Sequence, residues 1–274
     1  MLEPRPASVT HRGRVLVIAG SDSGGGAGLQ ADIKTVTALG GYAATAVTAV
    51  TVQNTLGVTG VFPVPVDVIE AQGRTVLDDI GADALKTGML GNVATVEVVA
   101  RLLDYAAGIP AVIDPVMIAK GGSPLLAPEA IGAVKALLVP RAALLTPNAP
   151  EAAALTGLPA ETTDDLRRAG RALLAMGANA VLMKGGHVAG ARVVDLLLTP
   201  DGEAAFEGER IDTRNTHGTG CTLASAVATG LAQGLPLHDA VARACAYVRE
   251  AMLRAPGFGA GHGPLDHAWP LRPR

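Results

Sequence analysis

The stretch VLVIAGSDSGGGAGLQAD, residues 15–32, opens on a short apolar run, turns through a glycine-rich segment from Ser21 to Gly28, and enters a helical pattern near Ala27. An apolar run too short for a helix and closed by glycine reads as a buried strand, so the stretch reads as strand, loop and helix in that order. The same alternation recurs downstream. Strands are expected at AVIDPV (111–116), ALLTPN (143–148) and AVLMKG (180–185), with DALKTG (83–88) as a fifth. Helices are expected to start near Ala27, Asn92, Pro128, Glu151 and Asp164, and a further helix is expected from Gly218 to Gln233. Strands alternating with helices predict an α/β fold, a three-layer α/β/α sandwich with a mostly parallel central sheet. Residues 43–64 depart from this rhythm: TAVTAVTVQNT and LGVTGVF follow one another with no helix between, which predicts a small β cover projecting from the sheet edge over the site.

Composition limits the function classes. The chain has 274 residues, 49% hydrophobic and 17% charged, enough for one domain over 1–274 to bury its own core, with 1–13 and 270–274 expected as loose tails. A net charge of −3 without any lysine or arginine block speaks against a nucleic-acid partner. Cys221 and Cys245 are the only cysteines, too few for a disulfide framework and not in CxxC spacing, which fits a reducing cytoplasm. No run of about 18 apolar residues occurs, so no membrane association is expected.

In an α/β sheet, ligands gather at the C-terminal ends of the strands. The strongest local signal there is NTHGTGCT (215–222), which leads straight into the helical pattern LASAVATGLAQG. Its glycines allow close approach of a ligand, and the helix start offers amides and a positive dipole to an oxyanion. The plainer reading is a glycine-rich turn with Thr219 as a cap. Cys221 sits where a helix dipole lowers a thiol's pKa, yet a small buried apolar role fits equally. Asn148 and Glu151 in TPNAPE are three residues apart, so one helix start brings both oxygens towards one point. That suits a sparse, partly hydrated Mg²⁺ site, although a helix cap explains the same spacing. Lys184 in MKGGH ends an apolar strand against two glycines and is one of only five lysines, a placement suited to a phosphate. Asp114 in IDPVM stands at a strand end, either polarising a metal's water shell or capping the turn. The GxGxxG and GxxxxGK[ST] fingerprints, HExxH and GxSxG are all absent, which removes the usual anchors for dinucleotide enzymes, P-loop NTPases, zinc peptidases and serine hydrolases.

Taken in order, GGGAGLQAD, NAPE, MKGGH and GTGC resemble the ribokinase-like kinases. AGSDSGGGAGLQADIKT, TAVTVQNT, KTGML, DPVM, TPNAPEAAALTG, VLMKGGH, NTHGTGCT and GHGPLDH narrow the resemblance to the hydroxymethylpyrimidine/phosphomethylpyrimidine kinases of thiamine biosynthesis, over about residues 14–269. That resemblance implies two successive transfers from ATP, with Mg²⁺, to 4-amino-5-hydroxymethyl-2-methylpyrimidine and then to its monophosphate. It implies that Asp32, Gln53, Met89 and Val116, with Gly20 as a backbone neighbour, form the pyrimidine pocket. It assigns Asn148, Glu151, Lys184, Thr216 and His217 to ATP, and Asp114 and Glu151 to the metal, partly through water. The transfer itself falls to Cys221, Lys184, Gly218, Thr219 and Gly220. Most ribokinase-like sugar kinases carry an aspartate base where this chain has Cys221, and the cysteine is characteristic of the thiamine branch. Pyridoxine/pyridoxal kinase of the same fold is the nearer alternative, and a non-catalytic pyrimidine-binding regulator the more distant one. A homodimer is expected.

Overall fold

A computed structural model describes residues 12–119 and 121–272. Nine strands form one sheet in the order β3-β2-β1-β4-β5-β6-β7-β8-β9. They are β1 (Arg14–Ser21), β2 (Tyr42–Asn54), β3 (Gly57–Pro63), β4 (Ala84–Thr87), β5 (Ala111–Ile113), β6 (Leu144–Leu145), β7 (Val181–Met183), β8 (Arg192–Thr199) and β9 (Gly202–Glu209). From β2 to β7 the neighbours run parallel, whereas β3, β8 and β9 pair antiparallel at the two edges.

The apolar runs are continuous rather than alternating because helices cover both faces of the sheet. Leu16 and Ile18 of β1 join one core with Leu85, Ile113, Leu145 and Met183, while Val15, Val17 and Ala19 join the other with Ala84, Val112, Leu144 and Leu182. The first core is closed by α2 (Val66–Asp79), α3 (Val93–Tyr105), α4 (Ala130–Ala133, prolonged by a π turn over Val134–Leu138), α5 (Ala149–Thr156) and α6 (Thr163–Ala175). The second is closed by α1 (Gly28–Ala38), α7 (Thr219–Ala232) and α8 (Leu237–Leu253). α7 is buried along almost its whole length, so its alanines and glycines let it lie close to its neighbours; a Cβ at Gly230 would stand 2.7 Å from that of Ala240. No helix among the described residues is long and apolar enough to cross a membrane.

The expected strands are all present; β1 is longer than expected, the other four are shorter, and the last residues of those four leave the ladder to build loops. Pro115 and Pro147 have no N–H to offer a neighbour, which ends pairing just beyond β5 and β6. The cover over 43–64 is present as β2 and β3, but residues 42–50 of β2 also pair with β1, so only its far end projects. The expected elements did not include α2, which buries only Ile69 and Gly73, or the β8–β9 hairpin, whose turn carries the Pro200-Asp201-Gly202 signal. Of the expected tails, residues 1–11 and 273–274 lie outside the described residues. Their inner ends are held: Gly13 accepts the Tyr42 amide at 2.9 Å, and Arg272 pairs with Asp266 at 2.9 Å.

Candidate active site

Because β1, β4, β5, β6 and β7 are parallel, their C-terminal ends open along one edge, and the chemistry-bearing side chains meet there. α7 starts at this edge. Gly218 precedes it with φ +82°, and a Cβ there would lie 1.9 Å from the Gly26 carbonyl oxygen, so only glycine lets the 215–222 loop close on the early glycine-rich loop. No side chain caps the helix, and Thr219 spends its hydroxyl on the Thr216 carbonyl at 3.2 Å. The Thr219 amide reaches the Thr216 carbonyl at 3.4 Å, and the amides of Gly220 and Cys221, which have no acceptor inside a helix, are left for an anion. The start is anchored from behind by Thr222, whose hydroxyl lies 3.0 Å from His267 Nε2; burial pushes that imidazole down to about 4, so it stays neutral.

Against this helix start stands an ammonium held by two carboxylates. A Cβ at Gly220 would be 3.1 Å from Lys184 Nζ and 3.7 Å from Asp114 Oδ2. Lys184 Nζ donates to Asp114 Oδ1 at 2.8 Å and lies 3.7 Å from Glu151 Oε2, and Thr146 donates its hydroxyl to the same Asp114 oxygen at 3.0 Å. Burial alone would push the Lys184 ammonium down, but Asp114 and Glu151 more than offset it and hold it well above its ordinary value. Glu151 is driven the other way: burial pushes it up to about 7, with Lys184 opposing and Asp114 adding to the rise. Asn148 and Glu151 also form a reciprocal helix cap, Asn148 Oδ1 accepting the Glu151 amide at 2.9 Å and Glu151 Oε2 accepting the Asn148 amide at 2.8 Å. The helix cap thus accounts for this spacing, and Glu151 Oε2 also faces Lys184 from it. Among the described residues no three His, Cys, Asp or Glu side chains converge as a closed metal cage.

On the other side of Cys221 the structure holds a buried ion pair. Lys86 Nζ donates to both carboxylate oxygens of Asp32 at 2.9 Å, Ser225 donates to Asp32 Oδ1 at 2.7 Å, and neither side chain of the pair has exposed surface. Asp32 thus faces inward to Lys86, behind the wall of the pocket to which the resemblance assigns it. Burial opposes the Lys86 ammonium, and Asp32, Cys221 and Asp114 hold it above its ordinary value. Burial pushes the Cys221 thiol up to about 11; Lys86 opposes that rise, Asp32 and Asp114 add to it, and the Gly28 amide donates to the sulfur. The thiol is neutral at pH 7. Gly28 can present that amide because it has φ +54°, with a would-be Cβ 2.4 Å from the Gly20 carbonyl.

Beneath the projecting end of β2, Gln53 Nε2 lies 3.3 Å from His217 Nε2, and that same ring nitrogen lies 2.8 Å from Asp22 Oδ2. One ring nitrogen cannot donate to Asp22 and accept from Gln53 at once. The shorter contact to a carboxylate takes the proton, leaving the Gln53 amide hydrogens for a ligand. Burial works against the Asp22 carboxylate, but the His217 hydrogen bond and the amides of Ala27 and Gly24 hold it below its ordinary value. His217, assigned by resemblance to ATP, is therefore turned towards Gln53 and the glycine-rich loop. Gly20 and Met89 are neighbours, a Cβ at Gly20 falling 3.1 Å from the Met89 sulfur. Val116 is half-buried and, with Thr87, Gly88, Asp114 and Pro115, lines a cleft beside them. A second cleft under the hairpin is lined by Gln53, Asn54, Thr55, His217 and His262.

Sequence reasoning passed over Asp22 and Lys86. Both lay inside quoted motifs, SDSGGG and KTGML, and an acid opening a glycine run and a lysine inside an apolar strand are the signals that mark them.

The arrangement matches known proteins along nearly the whole chain. The family model described as phosphomethylpyrimidine kinase matches residues 22–266. A hydroxymethylpyrimidine/phosphomethylpyrimidine kinase of Streptomyces coelicolor is 51% identical over 257 residues, covering 94% of this chain and 95% of that one. Among solved structures, an ADP complex of Bacillus subtilis pyridoxal kinase superposes with a TM-score of 0.87 at 38% identity, covering 94% of this chain and 98% of that one. Phosphomethylpyrimidine kinase of Clostridium difficile gives a TM-score of 0.78 at 39% identity, covering 87% and 98%. With a family model spanning most of the sequence and a relative half identical throughout, this ribokinase-like chain belongs to the phosphomethylpyrimidine kinase family.

Proposed function

We propose that this protein transfers the γ-phosphoryl group of ATP to the hydroxymethyl oxygen of 4-amino-5-hydroxymethyl-2-methylpyrimidine, and then transfers a second one to the resulting monophosphate, in thiamine biosynthesis in the cytoplasm. The observation that carries this reading is the uncapped start of α7 beside Lys184, which puts amides and an ammonium on one point. The names of the relatives supply the substrate class.

In this reading Gln53 pairs through its free amide with the amine and nitrogen edge of the ring, while Met89 and Val116 pack on its faces beside Gly20. Lys184 and the amides at the start of α7, Gly220 and Cys221 foremost, hold the transferring phosphoryl group, whose charge is spread over its outer oxygens. Asn148, Glu151 and Thr216 belong to the ATP side. The donor set fits magnesium: two carboxylates, Asp114 and Glu151, flank one ammonium with no closed cage around them, which suits an ion that keeps water and phosphate as most of its ligands. When bound, that ion supplies charge neutralisation on the phosphates.

Cys221 orients the hydroxyl as the neutral thiol and, in its minor thiolate form, which the nearby Lys86 charge favours, receives the hydroxyl proton in the first transfer. The second transfer has an ionised phosphate as nucleophile and needs no such group. The test is turnover of the pyrimidine, its monophosphate and pyridoxine side by side, with Cys221→Ala as the probe. Both pyrimidine substrates should be consumed with ADP release, and the variant should lose about a hundredfold in the first step and under about tenfold in the second. Phosphorylation of pyridoxine alone would transfer the reading to the vitamin kinases that the fold also resembles. Ligand binding without ADP release would make the protein a regulator, and equal rates of wild type and variant in both steps would end the proton role of Cys221.

We also propose a homodimer through the β2–β3 hairpin. Val50 and Val52 are 50% and 51% exposed on one face, and Phe62, directly opposite Val50 across the hairpin, is 62% exposed. Such a contiguous apolar face favours a self-complementary contact. Sedimentation should give twice the 27.6 kDa chain mass, and Val52→Glu should return it to the chain mass. A wild-type protein sedimenting as a single chain would remove this proposal.

A further inference from the structure

The turn that follows Lys184 is held by side chains rather than by the sheet. β7 pairs with β8 as far as Met183 opposite Leu196, so the next rung would set Lys184 against Asp195. Instead the Gly185 amide donates to the side chain of Asp195, Oδ1 accepting at 2.7 Å, and the chain leaves the ladder there. Only glycine fits at that step, because a Cβ at Gly185 would lie 2.0 Å from the Val194 carbonyl oxygen; the turn is pressed onto the backbone of β8.

Beyond Gly185 the chain is largely exposed as far as Ala191, with glycine at 186 and 190. Glycine and exposure by themselves would leave such a segment free to move. One side chain gathers it. Arg210, the residue after β9, donates Nη1 to the Gly186 carbonyl at 2.9 Å, Nη2 to Val188 at 2.5 Å and Nε to Gly190 at 2.8 Å, and its backbone amide donates to the Ala191 carbonyl at 2.8 Å. A guanidinium presents its donors in one plane and in fixed directions, so three carbonyls bound to it are also fixed relative to one another.

Lys184 stands where this turn begins, and its ammonium has a narrow place to fill: 2.8 Å from Asp114 Oδ1, 3.7 Å from Glu151 Oε2, and 3.1 Å from where a Cβ at Gly220 would stand. Those partners belong to the end of β5, to α5 and to α7, so the turn after β7 alone brings the lysine to them. We propose that Asp195 and Arg210 are positioning residues for the phosphoryl transfer. Asp195 fixes the peptide that follows Lys184, Arg210 fixes the turn beyond it, and together they keep the ammonium at the start of α7 without touching substrate. The catalytic consequence rests on the function proposed above; the consequence for anion binding rests only on the meeting of Lys184 with α7.

Arg210→Ala is the first test, at an exposed position where folding is retained. It should lower kcat of both transfers at least about tenfold, with KM for the pyrimidine within about twofold. In a Lys184→Met background the same substitution should cost less than about twofold, because the group it acts through is gone. Asp195→Asn keeps an oxygen for the Gly185 amide and should recover most of what Asp195→Ala loses. Wild-type kcat in Arg210→Ala, or an equal loss with and without Lys184, overturns the proposal; Asp195→Asn no better than Asp195→Ala removes Asp195 from it. Binding of inorganic tripolyphosphate, followed by calorimetry without any pyrimidine, gives a separate reading: Kd should rise about tenfold in Arg210→Ala, and an unchanged Kd overturns the proposal. Should the wild type phosphorylate no pyrimidine, the assigned reaction falls and the tripolyphosphate measurement still decides.

Discussion

Lys184→Met should lower kcat for both phosphoryl transfers by about two to three orders of magnitude, the range for losing a donor aimed at developing charge in a dry site. Lys184 is the ammonium that meets the start of α7, and it faces Asp114 and Glu151 at 2.8 and 3.7 Å. Both steps should suffer alike, because both pass the same phosphoryl group across this point, whereas Cys221→Ala divides the steps. Stability should change as well. Without the ammonium, Asp114 and Glu151, which are 1% and 5% exposed, are left as two buried carboxyls with no cation between them. Glu151 is already held up to about 7, and the loss of Lys184 removes what opposes that rise. A carboxyl whose native pKa is raised binds a proton in the folded state that the unfolded chain has released. Stability therefore falls as pH climbs through the raised value. The melting temperature of the variant should drop from about pH 6 to about pH 8 more steeply than that of the wild type, which scanning calorimetry would measure. A variant with wild-type kcat would remove Lys184 from the transfer site.

Gly218→Ala is expected to be nearly as severe, for a steric reason. The left-handed backbone at φ +82° costs an alanine about 1–2 kcal/mol, and its methyl carbon would fall 1.9 Å from the Gly26 carbonyl oxygen. Two loops must then part, and they are the loops that place the α7 amides and the His217–Asp22 contact. Turnover should fall by more than about a hundredfold, with a stability loss of about 2–4 kcal/mol in denaturant unfolding. Gly40→Ala separates the two causes: it has φ +80° and nothing within 4 Å of the would-be Cβ, so it should show the backbone cost alone with turnover intact. Equal turnover of Gly218→Ala and wild type would mean that the two loops need not touch.

Much of this site could be read in the chain before any coordinates. The strand order of chemistry, from the glycine-rich loop through NAPE and MKGGH to GTGC, maps directly onto the open edge of the sheet, because parallel strands put every loop after a strand on the same side. The β8–β9 hairpin and α2 were harder to read. β9 alternates half-buried and exposed residues with glutamate on the outside, and α2 buries two residues only, so neither has the apolar run that marks the central strands. Ionic pairing was less legible still. Asp32 sits in a motif that suggests ligand contact, and only its distance from Lys86, 54 positions along the chain, reveals that it looks inward. His217 likewise carries no sign in its own neighbourhood that it will turn to Asp22 and Gln53.

The bond between His217 and Asp22 joins residues 195 positions apart, and Ser225 reaches Asp32 across 193. During synthesis the glycine-rich loop therefore leaves the ribosome long before the helix that completes it, and Asp32 and Lys86 can meet well before Ser225 exists. Contacts of such long sequence separation form late, since the chain between them must first be ordered. Competence for phosphoryl transfer is for that reason one of the last properties the nascent chain acquires. A translation product halted before α7 has the means to fold much of its sheet and still have no catalytic capacity.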